Sequence, residues 1–130
     1  MELEKYFAAA KGTGILATAD DKGKMDAAVY SRPHFMEDGS LAFIMADRLT
    51  HHNLQSNLHA VYLFMEEGPG CKGQRLFLKK TGEEQDTDRL YELRRRKYPS
   101  KAEGGTRFLV FFEVEKVLPL IGAGREEDTI

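Results

Sequence analysis

Val29–Phe64 reads VYSRPHFMEDGSLAFIMADRLTHHNLQSNLHAVYLF, and this stretch decides the fold. Leu41–Ala46 is apolar on both faces, as expected of a central strand covered on two sides. Ala60–Glu66 is a second apolar run of strand length. Between them, Thr50–Asn57 has helical character, with Thr50 as a plausible N-cap and Leu49 and Leu54 at the two positions of a hydrophobic staple. The helix entrance, Asp47–Asn53, is a dense cluster of ligand-capable side chains held between two buried strands.

Outward from that centre, the chain divides into short elements. Leu3, Tyr6, Phe7 and Ala10 recur at helical spacing over Glu2–Lys11, and Gly12 ends that helix. Gly14–Ala19 reads as a strand. Asp20–Gly23 is turn chemistry, and Met25–Phe35 reads as a second strand with Pro33 near its end or at a bulge. Beyond the central stretch, Gln74–Thr81 alternates, with Leu76 and Leu78 on one face and Arg75, Phe77 and Lys79 on the other. Asp86–Tyr98 reads as a helix stopped by Pro99, and Thr106–Val117 as a last strand whose core face is Phe108, Val110, Phe112 and Val114. Tight turns join the first three strands, which are expected to pair as an antiparallel meander. Strands do not alternate with helices, which argues against a parallel dinucleotide-binding sheet. Six short strands with few helices suggest a closed or nearly closed barrel.

Composition narrows the function. The chain has 130 residues, 42% of them apolar, and a net charge of −2 from 19 basic and 21 acidic side chains. That size and balance suit one domain, residues 1–122 with a tail at 123–130, and argue against bulk attraction to nucleic acid or an anionic membrane. No apolar run is long enough to span a bilayer, and acidic residues stand where a signal peptide needs basic ones, so a cytoplasmic location is expected. Cys71 is alone in a Gly-rich turn, so no internal disulfide or paired-thiol metal site can form. His51 and His52 diverge by about 100° on a helix and make a poor metal pair. The run Arg94–Lys97 falls in the last turns of a helix, where cations offset the dipole, and no aromatic stacking pattern accompanies it.

The helix entrance remains. A helix N-terminus offers unbonded amides and partial positive charge, which favour phosphate. Arg48, Thr50, His51 and Asn53 add donors, Arg32 could reach the same spot, and Val29, Ile44 and Met45 could supply an apolar wall. The other reading of Thr50 is a cap alone.

These residues carry a resemblance. GILATADDKGKMDAAVYSRP, the strand followed by Thr-His-x-Asn-Leu-x-x-Asn and an Ala-x-Tyr strand, GQRLFL, and the closing FLVFFEVEKVLPLIG together resemble the pyridoxamine 5′-phosphate oxidase-like superfamily over Leu3–Gly122. The resemblance implies a mainly β fold with flanking helices: a six-stranded antiparallel split β-barrel that holds FMN at a homodimer interface. It implies cofactor contacts from Val29, Tyr30, Ser31 and Arg32 on the second strand and from Ile44 and Met45 on the third. Arg48, Thr50 and His51 would stand at the phosphate, with Arg75 as a further contact. The function implied is an FMN-dependent oxidoreductase acting on a small molecule. Alternatives are a non-catalytic electron carrier, a cofactor-free dimeric barrel, and a haem protein using some of the four histidines. Many members carry a lysine about where Thr50 stands, and the chain is shorter than the full-length pyridoxamine phosphate oxidases, so vitamin B6 oxidation is not expected.

Overall fold

In the computed structural model, which describes residues 2–97 and 105–122, one antiparallel sheet curls around a single main core. The elements in chain order are α1 (Glu2–Ala9), β1 (Gly12–Ala19), β2 (Met25–Val29), β3 (His34–Phe35), β4 (Leu41–Ala46), α2 (Leu49–Ser56), β5 (His59–Glu66), β6 (Gly73–Gln85), α3 (Asp88–Lys97) and β7 (Arg107–Pro119). The strand order is β2-β1-β5-β6-β7-β4-β3. No helix among the described residues is long and apolar enough to cross a membrane.

Two expectations about the strands need correction. The second predicted strand is broken: Tyr30 still bonds through its amide to the Gly14 carbonyl, but the chain then leaves the ladder and resumes as β3. Pro33, buried at the break, has no amide to donate, so a continuous ladder cannot run through it. The count among the described residues is therefore seven strands. The meander also stops after its first hairpin. β1 pairs with β2, whereas β4 pairs with β3 and with the distant β7 (Ala42↔Phe111, Ile44↔Leu109). β2 and β4 are not neighbours in the sheet, and the barrel is split between them.

Alternation along the strands fills the interior. Leu16, Phe43, Tyr62, Phe64, Leu76, Leu78 and Phe112 point inward and are almost fully buried. Phe7 of α1 joins them edge-on to Phe64 at 5.2 Å. Gly14 is required where it stands, because a Cβ there would lie 1.9 Å from the Tyr62 hydroxyl oxygen. That hydroxyl donates to the Tyr30 carbonyl at 3.2 Å, tying β5 to the end of β2 across β1. The expected core face of β7 is inside, with Val114 half-buried. Leu109 is buried too, on the opposite face, where Leu90 of α3 and Ala42 cover it.

The opposite surface of β2, β1 and β5 is largely apolar and extends onto β6 at Phe77, which Lys116 overlies at 4.8 Å, between outward Arg75 and Lys79. Register places Val29, Ile15 and Leu63 in one row and Ala27, Ala17, Val61 and Phe77 in the next. Met25 is 87% exposed and Val29 74%, extreme values for large apolar side chains on a strand. The basic run from residue 95 onward, as side chains, and the expected tail at 123–130 lie outside the described residues.

Candidate functional site

At the split between β2 and β4 the walls of the sheet stop short of each other, and α2 stands at the end of the gap. The resulting cleft has a volume of about 470 Å³, within the ordinary range of small-molecule sites. One wall is Asp26, Ala28, Val29, Tyr30 and Ser31; the other is Ile44 and Ala46; the end is Arg48, Leu49 and Thr50.

The helix mouth differs in frame from the sequence expectation. α2 starts at Leu49, one residue early, so the N-cap position belongs to Arg48, whose side chain makes no capping bond. Thr50 is therefore not the cap. Its hydroxyl donates instead toward an Asp26 carboxylate oxygen at 3.4 Å. The first helical turn closes with the His52 amide on the Arg48 carbonyl at 2.9 Å. The amides of Leu49, Thr50 and His51 precede it and have no partner within the helix. Leu49 is 55% exposed at the cleft rather than stapled under the helix.

Six of the predicted contacts come together here: Val29, Tyr30, Ser31, Ile44, Arg48 and Thr50. The structure places the other four elsewhere. Met45 is buried in the barrel interior, because successive β4 side chains face opposite ways and Ile44 holds the cleft side. The Arg32 guanidinium donates to the Phe7 and Ala10 carbonyls at 2.6 and 2.9 Å, at the C-terminal end of α1, where a cation suits the dipole. Arg75 donates to the Pro119 carbonyl at 2.9 Å and to that of Gly122, fastening the end of β7. The His51 ring turns inward, stacks on Phe108 at 3.6 Å and bonds Glu83 through Nε2, while Nδ1 stands 3.9 Å from the Asp47 carboxylate, so the ring is not free to meet a ligand at the mouth. Asp26, Ala28, Ala46 and Leu49 were missed. Parity would have found two of them, since Asp26 and Ala28 share a strand face with Tyr30.

Among the described residues, two charged side chains line the cleft, Arg48 and Asp26. Burial pushes the Tyr30 phenol up, and the Asp26 charge adds to this against opposing effects from Thr50 and Arg48, so the phenol keeps its proton at neutral pH. The Asp26 carboxylate lies beside the Thr50 hydroxyl, so an anion in this cleft is favoured only on the Arg48 side of the α2 mouth, leaving its remaining atoms along Ala28, Val29, Ile44 and Ala46. A phosphate joined to a flat apolar body fits that arrangement, and these residues fit FMN. A larger cavity, about 1050 Å³, lies under α3, with Phe111 and Leu93 in its lining. Glu37, Asp38, Asp88 and Glu92 also line it against Arg89, which is itself paired with Glu84, and such a setting repels phosphate.

Solved structures sharing this architecture include an FMN-binding protein from Syntrophomonas wolfei, 18% identical, with a TM-score of 0.72 over 92% of this chain and 83% of that one. The fold is the FMN-binding split β-barrel. An F420 reductase matches this split barrel at 12% identity and a TM-score of 0.70, covering 88% of this chain and 94% of the other. HutZ, a heme storage protein from Vibrio cholerae, matches at 16% and 0.66, covering 90% and 91%. This split barrel is thus shared by proteins of several functions. At these identities the likeness is one of fold. No family model matches the sequence. No curated protein matches it either.

Proposed function

We propose that the cleft binds FMN and that the protein is a homodimeric FMN-dependent oxidoreductase acting on a small molecule. The observation that carries this is a convergence in one cleft: an uncapped helix mouth with Arg48 beside it, continued by an apolar wall where two strands fail to pair. Bound FMN supplies the electron-transfer chemistry. The chain supplies the rest. The Leu49, Thr50 and His51 amides and the Arg48 guanidinium receive the phosphate. Ala28, Val29, Ile44 and Ala46 orient the ring and keep water from one side of it. The protonated Tyr30 phenol and the Asp26 carboxylate meet the polar middle of the ligand.

The dimer part of the proposal rests on the uncovered apolar surface. It runs across four strands and reaches the cleft at Val29, so a second copy seated on it would close the open side of the cofactor site. The haem alternative gains nothing from two of the histidines: His51 is committed to Glu83, and His59 stands 3.6 Å from Glu115.

The test is direct. Cofactor-stripped protein titrated with FMN should bind one equivalent per chain, with a shifted flavin spectrum, and light scattering should give twice the chain mass. NADH or NADPH should then bleach the flavin, and a small-molecule acceptor should restore it. A protein indifferent to FMN overturns the reading. One that binds FMN but turns over with no donor–acceptor pair reduces it to an electron carrier.

A further inference from the structure

Glu83 should not face the inside of this barrel. Along β6, Arg75, Phe77 and Lys79 face out and Leu76 and Leu78 face in, so simple alternation would put residue 83 outside. A bulge intervenes. Lys80 pairs with Phe112 but Gly82 pairs with Phe111, leaving Thr81 as the extra residue, and Glu83 then pairs with the inward Val110. The chain has thus been re-aimed to bring a carboxylate to the barrel end beneath α2.

That carboxylate is well supplied with partners. Both of its oxygens lie within 3.1 Å of His51 Nε2. Gln55 Nε2 donates to Oε1 at 3.1 Å and Lys80 Nζ at 2.7 Å. His51 and Gln55 are one turn apart on α2, so Glu83 grips the helix at two points on one face. His51 is 7% exposed and lies flat on Phe108 with 12° between the ring planes. The helix needs such anchoring: it has eight residues, no side-chain cap and no acid in its first turn. Of its other ties, the Thr50–Asp26 contact in the same turn is long at 3.4 Å, and buried Leu54 and the Asn53–Thr18 bond at 3.1 Å lie deeper along the helix than His51.

We infer that Glu83 is a positioning residue for the phosphate site: through His51 it fixes the first turn of α2, and so the direction in which the Leu49, Thr50 and His51 amides point. The inference rests on the FMN reading of the cleft. Its sign separates it from plain electrostatics. Removing a nearby negative charge would, by itself, tighten the binding of a phosphate. Loss of position weakens it.

The experiment compares FMN with riboflavin, which lacks the phosphate, on wild type, Glu83→Ala, His51→Phe and the double variant. His51→Phe keeps a ring over Phe108 while removing the polar contacts of the imidazole with Glu83, Gln55 and Asp47, so it serves if Glu83→Ala does not fold. Each single change should raise the FMN Kd about tenfold, as loss of an outer partner that orients a ligating group does. Riboflavin affinity should hold within about twofold, and the double variant should lose no more than either single one. FMN affinity that is unchanged or tighter in a folded variant overturns the role of Glu83, as does an equal loss for both flavins. If wild type itself fails to prefer FMN over riboflavin, the phosphate reading falls, and this role falls with it.

Discussion

Arg48→Ala is the sharpest test of the cleft. Arg48 is exposed at the N-cap position, and among the described residues no ion pair or capping bond engages its guanidinium. Removing it therefore breaks little in the unliganded protein, and the effect should fall on the complex. A charge-assisted hydrogen bond contributes about 1.5–3 kcal/mol, and exposure to solvent favours the lower half of that range. At about 1.4 kcal/mol per factor of ten, FMN should bind roughly 10- to 30-fold more weakly. The substitution also leaves Asp26 as the one charged side chain lining the cleft. Quenching of flavin fluorescence gives the Kd directly, best read at low and high salt. Wild type should weaken as salt rises, because the Debye length contracts from about 10 Å at 0.1 M to about 3 Å at 1 M, and the variant should respond much less. Riboflavin should bind both proteins alike. An unchanged FMN Kd, or an equal loss for riboflavin, would refute the placement of the phosphate beside Arg48.

Three further outcomes follow from the packing. Gly14→Ala forces a methyl to within 1.9 Å of the Tyr62 hydroxyl and should destabilise the fold by about 1–3 kcal/mol, seen as a Tm lower by several degrees; an unaltered Tm would mean that the close approach is not real. Glu83 gives an acid dependence. Burial alone would raise its carboxyl, but bonds from Lys80, Gln55 and His51 outweigh that and hold it at about 2, against 4.5 for the unfolded chain. A depressed folded value means that this stabilisation is complete above about pH 4.5 and is lost as the pH falls toward 2. The full difference corresponds to about 3 kcal/mol, which partial solvent access reduces to about 1–2. Urea midpoints at pH 7 and pH 3 should differ more for wild type than for Glu83→Gln, and equal differences would contradict the ion-pair network. Finally, replacing both Met25 and Val29 with Lys should shift the protein toward monomer in light scattering; a dimer that persists would mean that partners meet through another surface.

Local pattern carried much of this in advance. Alternation in Gln74–Thr81 and Thr106–Val117 assigned inner and outer faces that the structure keeps, and Leu41–Ala46, apolar on both faces, is packed on both. The position of α2 between two buried strands was legible from the same periodicity. Pairing β4 with β7 was not, because those strands are more than sixty residues apart and nothing local specifies the match. The broken second strand was half-visible in Pro33. Within the cleft, backbone parity alone separates Ile44 from Met45. The destinations of Arg32, Arg75 and His51 could not be read, since each was decided by a carbonyl or carboxylate brought near only by folding. The bulge at Lys80–Gly82 also hid Glu83 from any two-residue rule.

On the FMN reading, the gap between β2 and β4 is also the way in for the ligand. β2 is fastened to the sheet along one edge, through β1 alone, so it can swing outward from β4 without cutting a single rung of backbone bonding. A fully cylindrical barrel would have to unzip two strands to admit a rigid tricycle from the side. Here the doorway is already built as a seam, and what must bend is one hairpin.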